Sequence, residues 1–494
     1  MPHALRDWGR RALPPLPPLS RRTRWCLVAI LAVAFGLRVA WATQAQQPTE
    51  LRDPVLYMVL AENVAEGEGY SYGPEPDQGT TAYYPPGYPL ALGATTWLLR
   101  LLPGTVSVFD VAVWSNVVLS VATVALVFVL GRRLVGDRVG LAAAAIWALW
   151  PNLVFHTSVV LTETLFLFLL VLTLVVALPD RASARAPGRA RLVAIGALFG
   201  LTLLVRPVSA VMAPAFLVLW WGAGVRAALW RLALVGVACV AVLVPWSVRS
   251  SLAMDAPVAL SLNVGDNLCL GHNPGSDGGF GGLDTFGEAC FAGEGLRRPE
   301  LETRRQSENI DRALTYVREH PGETLRRTPS KARITLQDDH DGLDAASDYG
   351  ARPVVSSANV DRLAQTSDVF YYLVAAAAVV GGVVWLRRPD PARRGLFLVV
   401  GGLAQLVSPL ATFGDPRFKM PLYPTLAICA AVAVAALWDV WSPARGEAAG
   451  PAALPGVDEP ADGQRLRGST GASRPVPRGA MPGVSSEVSA GPSS

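Results

Sequence analysis

PGYPLALGATTWLLRLL, residues 86–102, is the stretch on which the topology of this 494-residue chain turns. It is apolar, yet shorter than the roughly 20 residues that an α-helix needs to cross a bilayer. Charge decides between the two readings. If the stretch crosses, the next apolar run, residues 108–130, leaves Gly131-Arg132-Arg133-Leu134-Val135-Gly136-Asp137-Arg138 outside, and every later basic loop is inverted with it. Lys and Arg gather on the cytoplasmic side of membrane proteins. Residues 86–102 therefore read as an interfacial or re-entrant helix on the outer side.

Working outward from there, residues 1–24 carry Arg6, Arg10, Arg11, Arg21, Arg22 and Arg24 and read as a basic cytoplasmic N-terminus. Residues 25–43 cross outward as a retained anchor, because the run is long enough to span and lacks a small-x-small cleavage site. The first external loop, 44–107, then carries Glu50, Asp53, Glu62, Glu66, Glu68, Glu75 and Asp77 against Arg52 as the one base before Pro86. On the C-terminal side, 108–130 runs inward, 139–155 outward and 158–178 inward, to a basic loop with Arg181, Arg185, Arg189 and Arg191. Residues 192–205 and 208–221 form a short hairpin with Arg206 near its outer turn, and 229–246 goes out again.

The long polar region 247–368 opens on a Gly/Asn-rich stretch and continues into helical composition over 302–327, interrupted by Pro321. It reads as an external loop subdomain. Residues 369–386, 395–413 and 421–438 complete the crossings, with Arg387, Arg388, Arg393 and Arg394 in a cytoplasmic loop. The expected architecture is an all-α polytopic membrane protein of about ten transmembrane helices. It comprises an N-terminal transmembrane catalytic module at 25–246, the external subdomain, C-terminal helices at 369–441, and a disordered cytoplasmic tail at 442–494 whose Pro, Gly, Ala and Ser cannot build a core.

Composition agrees. With 51% apolar and 17% charged residues, the chain is too apolar for an ordinary soluble protein, and its net charge of +4 matters less than where the cations lie. Membrane lipids are expected partners; nucleic acid is not. Cys26, Cys239 and Cys429 sit in apolar runs as small hydrophobes. Cys269 and Cys290 share the polar loop and can pair if it faces an oxidising compartment, a question the spacing leaves even.

Two carboxylates are candidates for chemistry. Asp53 precedes Pro54 and an amphipathic run, so it reads equally as an N-cap and as a carboxylate at the bilayer edge that accepts a proton or holds a metal. Glu163 opens an apolar run, where an ionised side chain is costly and intramembrane acids are functional by default. His156 precedes it and is read first as a hydrogen-bonded structural histidine and second as a metal ligand. Arg206, Arg249, Arg417 and Lys419 lie at outer span ends, against the positive-inside bias, which a phosphate partner explains and snorkelling to head groups explains equally. Arg326, Arg327, Lys331 and Arg333 read first as a solvated helix face and second as contacts to lipid phosphate.

Nine pieces then occur in order: Gly36-Leu37-Arg38, Asp53, Leu60-Ala61-Glu62-Asn63 with Gly67-Glu68-Gly69-Tyr70, Tyr83-Tyr84-Pro85-Pro86-Gly87-Tyr88-Pro89-Leu90, Leu161-Thr162-Glu163-Thr164-Leu165, Leu204-Val205-Arg206-Pro207, Pro245-Trp246-Ser247-Val248-Arg249, Gly271-His272-Asn273-Pro274 and Asp415-Pro416-Arg417-Phe418. This order resembles the GT-C glycosyltransferases that use polyprenyl-phosphate sugars, in the branch of the protein O-mannosyltransferases and the lipid A aminoarabinose transferase. The resemblance implies inverting transfer from a lipid-phosphate sugar to an envelope lipid, glycan or protein acceptor on the outer face, and the Ala/Arg/Val/Gly-rich composition, similar to that of high-GC bacteria, points to a bacterial plasma membrane. It implies Asp53 as base and Glu163 as supporting acid or metal ligand. Arg249 and Arg417 match the cations the family places near the donor phosphate; Arg206 and Lys419, as outer-end cations, join them as phosphate candidates, and Tyr83, Tyr84 and Tyr88 are the substrate candidates. A divalent metal is the one cofactor it would call for. The chain departs from the family at Tyr84, often Arg, at Ser250, usually Asn, and at Phe418, usually Tyr. No Gly-rich phosphate loop competes with a lipid-linked donor. A transporter or flippase of lipid-linked sugars would show internal repeats, and a non-catalytic envelope assembly subunit would tolerate loss of both acids.

Overall fold

The computed structural model describes residues 18–73, 79–178, 187–281, 290, 299–350, 354–389 and 393–441. All of them belong to one compact unit, Met1–Ser442. The expected tail, Arg6, Arg10, Arg11, Glu75, Asp77, Arg181 and Arg185 lie outside the described residues. Among the described residues the regular elements are helices, and extended pairing is confined to isolated bridges such as Pro48 with Gly350.

Among the described residues six helices are long and apolar enough to cross a membrane: Arg21–Ala42, Val108–Leu134, Val225–Met254, Ser357–Leu386, Arg394–Ala411 and Pro416–Trp438. Asp137–Leu149 and Pro151–Ser158 make a seventh if they are one span, bent by 61°. The bend has a local cause. Pro151 lacks an N–H and clashes with a helical predecessor, so Trp150 is extended (φ −66°, ψ 110°) and the helix ends at Leu149. Glu163–Ala177 and Pro207–Ala223 are apolar but short. By length and composition, then, six or seven elements pass where about ten are expected on hydropathy alone.

The carbonyls freed by that bend are taken up by Arg38. Its buried guanidinium donates to Trp147 O (3.3 Å) and Ala148 O (3.0 Å), and to Ser120 Oγ (2.6 Å) on the Val108–Leu134 helix. An apolar span can carry this arginine because its donors end on helix-terminal acceptors that would otherwise be unpaired.

Helix contacts elsewhere are made by small residues, as expected where lipid removes the hydrophobic drive between helices. A Cβ at Gly196 would lie 2.3 Å from Val235 O, and one at Gly381 would lie 1.8 Å from Cys429 O, where Ser357–Leu386 meets the last helix, Tyr423–Trp441. Gly381→Val is therefore expected to force these helices apart and cost about 1–3 kcal/mol, read as a lowered Tm of the purified protein in detergent.

Residues 86–102 form the helix Gly87–Arg100, about 21 Å long at 1.5 Å per residue and short of the roughly 30 Å hydrocarbon layer. It packs along Asp53–Glu66. Gly93 is closed against that helix, since a Cβ there would lie 2.6 Å from Ala61 O, and Arg100 pairs with Glu62 at 2.7 Å. Trp97, Leu98, Leu101 and Leu102 stay exposed along one end.

Several boundaries differ from expectation, two of them widely. The Val225–Met254 helix continues through Pro245 instead of ending beside it, so Arg249 projects from helix rather than loop; a transmembrane helix tolerates such a proline when neighbours satisfy the freed groups. The Ser357–Leu386 helix begins at Ser357 rather than at 369. Between them run Val264–Gly271, Pro299–Glu319, Pro321–Leu336 and Asp341–Asp348, with Pro321 starting a new helix and a Cys269–Cys290 disulfide in place.

Candidate active site

Asp53 is the first residue of the Asp53–Glu66 helix, and the N-cap is Arg52, with no side-chain cap hydrogen bond. The capping role expected of Asp53 is thus not what its side chain does: the helix starts one residue earlier than the Asp-Pro pattern suggests. Its Oδ1 accepts instead from the Tyr84 hydroxyl at 2.6 Å. Burial and the nearby Asp53 carboxylate hold the Tyr84 phenol well above its ordinary pKa, so it stays a donor. Tyr57 packs on Tyr84 and Tyr88 (ring centroids 4.8 and 5.5 Å), and Tyr83 stands edge-on to Tyr84 at 4.9 Å. The Tyr-Tyr-Pro-Pro-Gly-Tyr stretch therefore builds an aromatic wall behind the carboxylate.

Glu163 opens the Glu163–Ala177 helix, an N-terminal position that the helix dipole favours for an acid. It is 2% exposed, and its Oε1 accepts from Arg206 Nη1 at 3.0 Å. Arg206 stands where Pro207 ends the Arg189–Val205 helix, and its guanidinium lies 5.8 Å from both the Phe166 and Phe418 ring centroids. Arg417 sits in the 3-10 turn Pro416–Leu422, where Asp415 caps its N–H (2.9 Å) and accepts from its Nε (3.2 Å). Arg417 interacts electrostatically with Glu163, Tyr349 and Asp53, and Tyr57 does so with Asp53, Glu163 and Arg206. Glu163 and Arg206 are in direct contact, and Arg417 is a neighbouring charge to both Glu163 and Asp53.

The other predicted residues have partners of their own. Arg249 donates to Thr81 O (2.8 Å) and Tyr70 O (2.9 Å) and stacks on Trp246 at 4.9 Å, which fastens the first loop. Tyr83 donates to Asp266 Oδ2 (2.6 Å), a carboxylate that also takes Arg305 bidentately and Asn309. Lys419, 1% exposed, pairs with Asp339 at 3.1 Å. His156 Nε2 bonds Asp341 Oδ2 at 2.9 Å, and Asn152 bonds the other Asp341 oxygen at 2.8 Å. Burial pushes the Asp341 carboxyl up, but the His156 contact and neighbouring cation outweigh it and hold it below the usual carboxylate range.

Among the described residues no three His, Cys, Asp or Glu side chains form a metal-binding group. A hard divalent ion bound by Asp53 or Glu163 would draw its other ligands from carbonyl, hydroxyl, phosphate or water oxygens. Residues the sequence reading does not single out are Tyr57, Tyr349, Asp266 and Glu302. Glu302 is buried against the first loop, accepting from Thr81 Oγ1 (2.6 Å) and Ala82 N (3.0 Å), and burial pushes its carboxyl up to about 7. Asp415 and Arg417 are visible as a motif; the partners of the others lie too far along the chain for any local pattern to mark.

No protein-family profile matches the chain, and no curated protein matches it in sequence. In structure it is similar to the Archaeoglobus fulgidus oligosaccharyltransferase tethered to an acceptor peptide containing the NVT sequon (14% identity, TM-score 0.49, covering 85% of this chain and 50% of that one). It is similar to the archaeal oligosaccharyltransferase AglB from the same organism in complex with an inhibitory peptide and a dolichol-phosphate (15%, 0.47, 85% and 51%). It is also similar to ArnT from Cupriavidus metallidurans bound to undecaprenyl phosphate (16%, 0.38, 83% and 78%). The chain spans about half the length of the archaeal oligosaccharyltransferase.

Proposed function

We propose that this protein is a membrane glycosyltransferase that moves a sugar from a polyprenyl phosphate to a hydroxyl-bearing envelope acceptor on the outer face of a plasma membrane, with N- and C-termini cytoplasmic. The observation that carries the reading is the Asp53 carboxylate, oriented by Tyr84 at 2.6 Å, with Arg417 close to it and to Glu163, which pairs with Arg206 at 3.0 Å. Asp53 takes the acceptor hydroxyl proton as that oxygen bonds to the anomeric carbon. The bond from that carbon to the phosphate oxygen breaks, and its electron pair leaves with the polyprenyl phosphate. Attack from the face opposite the leaving group inverts the anomeric centre. Arg417 meets the charge that develops on the phosphate, while Glu163 holds Arg206 in place beside it. Phosphate is a ready leaving group once cations face it, so positioning and charge stabilisation supply most of the rate.

The test is transfer of radiolabel from defined polyprenyl-phosphate sugars by the purified chain in lipid. Glu163→Gln is expected to lower kcat about a hundredfold, because Arg206 loses the partner that fixes it. Failure of the wild-type chain to transfer from any donor would reject the reading in favour of a flippase or an assembly subunit.

A further inference from the structure

Asp266, in the Val264–Gly271 helix, is 2% exposed, and its carboxylate is saturated with donors. Its Oδ1 accepts from Arg305 Nε (3.0 Å) and Asn309 Nδ2 (2.7 Å), and its Oδ2 from Arg305 Nη2 (2.6 Å) and the Tyr83 hydroxyl (2.6 Å). Arg305 and Asn309 come from one helix, Pro299–Glu319. Tyr83 reaches across from the first loop.

A bidentate guanidinium fixes the plane of a carboxylate, so the direction open to Tyr83 at Oδ2 is set by the two helices. Asn309 adds a second tie, because its amide also donates to Cys290 O (2.7 Å) and Cys290 is disulfide-bonded to Cys269 in the Asp266 helix. A carboxylate whose lone pairs are all engaged serves as a support rather than as a base. Burial and that carboxylate hold the Tyr83 phenol well above its ordinary pKa, so it remains the donor.

Tyr83 bears on the chemistry through one ring. It stands edge-on to Tyr84 at 4.9 Å, Tyr57 packs on Tyr84 at 4.8 Å, and the Tyr84 hydroxyl donates to Asp53 at 2.6 Å. The course of the Thr81–Tyr84 strap is fixed by other bonds. Thr81 O accepts from Arg249, Ala82 O from Leu262 N (2.8 Å) and Tyr84 O from the Tyr70 hydroxyl (3.1 Å), while Glu302 accepts from Thr81 Oγ1 and Ala82 N. Those contacts hold the backbone, and the side-chain angles of the two tyrosines are left to the rings and to Asp266.

We propose that Asp266 is a positioning residue for the transfer: locked by Arg305 and Asn309, it holds Tyr83 by its hydroxyl against Tyr84, and so aims the Tyr84 hydroxyl at Asp53. The role rests on Asp53 being the base. It ties turnover to the packing of two helices in the polar region of the chain.

NMR of the full chain in lipid nanodiscs, with tyrosine labelled at Cζ, tests the tie without substrate, because that carbon's shift follows the hydrogen bond of the phenol. The Tyr84 line is the one lost in Tyr84→Phe, and Asp53→Ala gives its position with the hydroxyl released. Tyr83→Phe removes the hydroxyl that Asp266 holds and keeps the ring, the Asp266–Arg305 pair and Asn309. In this variant the Tyr84 line is expected to move most of the way to its Asp53→Ala position, and Asp266→Asn is expected to move it as far. A Tyr84 line unmoved in Tyr83→Phe overturns the proposal, whatever Asp266→Asn does to the fold.

In transfer assays Tyr83→Phe is expected to lower kcat about tenfold at unchanged donor and acceptor KM. Combined with Asp266→Asn it is expected to be no slower than Asp266→Asn alone, and in an Asp53→Asn background it is expected to cost nothing further, since no base is left to aim. A raised KM at unaltered kcat makes Tyr83 a substrate contact and overturns the positioning role, as do additive losses in either combination. A wild-type chain that transfers nothing fails the glycosyltransfer reading, and the Tyr84 line still decides whether Asp266 orients that hydroxyl.

Discussion

Asp53→Asn is expected to cut sugar transfer by about 10²–10⁴-fold, the usual worth of a general base, with donor KM and Tm close to wild type. The amide oxygen can go on accepting from the Tyr84 hydroxyl, so the 2.6 Å contact and the helix start survive while proton uptake does not. Because the helix carries no side-chain cap hydrogen bond, there is no capping energy of about 1 kcal/mol to lose. That separates the two readings of Asp53: a capping residue would show in Tm and spare kcat, a base shows in kcat and spares Tm. Full activity in Asp53→Asn would remove it from the chemistry.

Lys419→Met is expected to act on the fold rather than on turnover. Lys419 and Asp339 are both buried and 3.1 Å apart, and Asp339 also accepts from Trp150 Nε1 (2.7 Å) and from the Tyr423 hydroxyl. Removing the ammonium leaves that carboxylate uncompensated in the interior, at about 3–5 kcal/mol. Replacing both members, Lys419→Met with Asp339→Asn, is expected to recover most of the loss, since a buried pair contributes far less than breaking it costs. Thermal unfolding in detergent reads this. An unchanged Tm with a raised donor KM would return Lys419 to the phosphate, where its outer-end position in the sequence suggests it.

Lys419 also marks where sequence reading stops. It is legible as a cation at a span end, but its partner is Asp339, far along the chain, and without a visible partner a lipid phosphate is the natural candidate. Arg249 follows the same pattern, because its acceptors are the backbone carbonyls of Tyr70 and Thr81, which no side-chain motif records. His156 reads first as a hydrogen-bonded structural histidine, and the structure supplies Asp341 as its partner.

Hydropathy and turn chemistry, by contrast, are local. Residue by residue they determined the long apolar helices, the short helix at 87–100, the break at Pro321 and the acids at two helix starts. They also determined the choice of which charges to examine, because an ionised side chain in an apolar run is conspicuous wherever the run ends up. What only the tertiary structure decided is pairing: Glu163 with Arg206, Tyr84 with Asp53, Tyr83 with Asp266, Glu302 with the strap. Each joins separate elements, and the energy of a buried charge depends on the few ångströms to its partner, a distance that composition and periodicity do not encode.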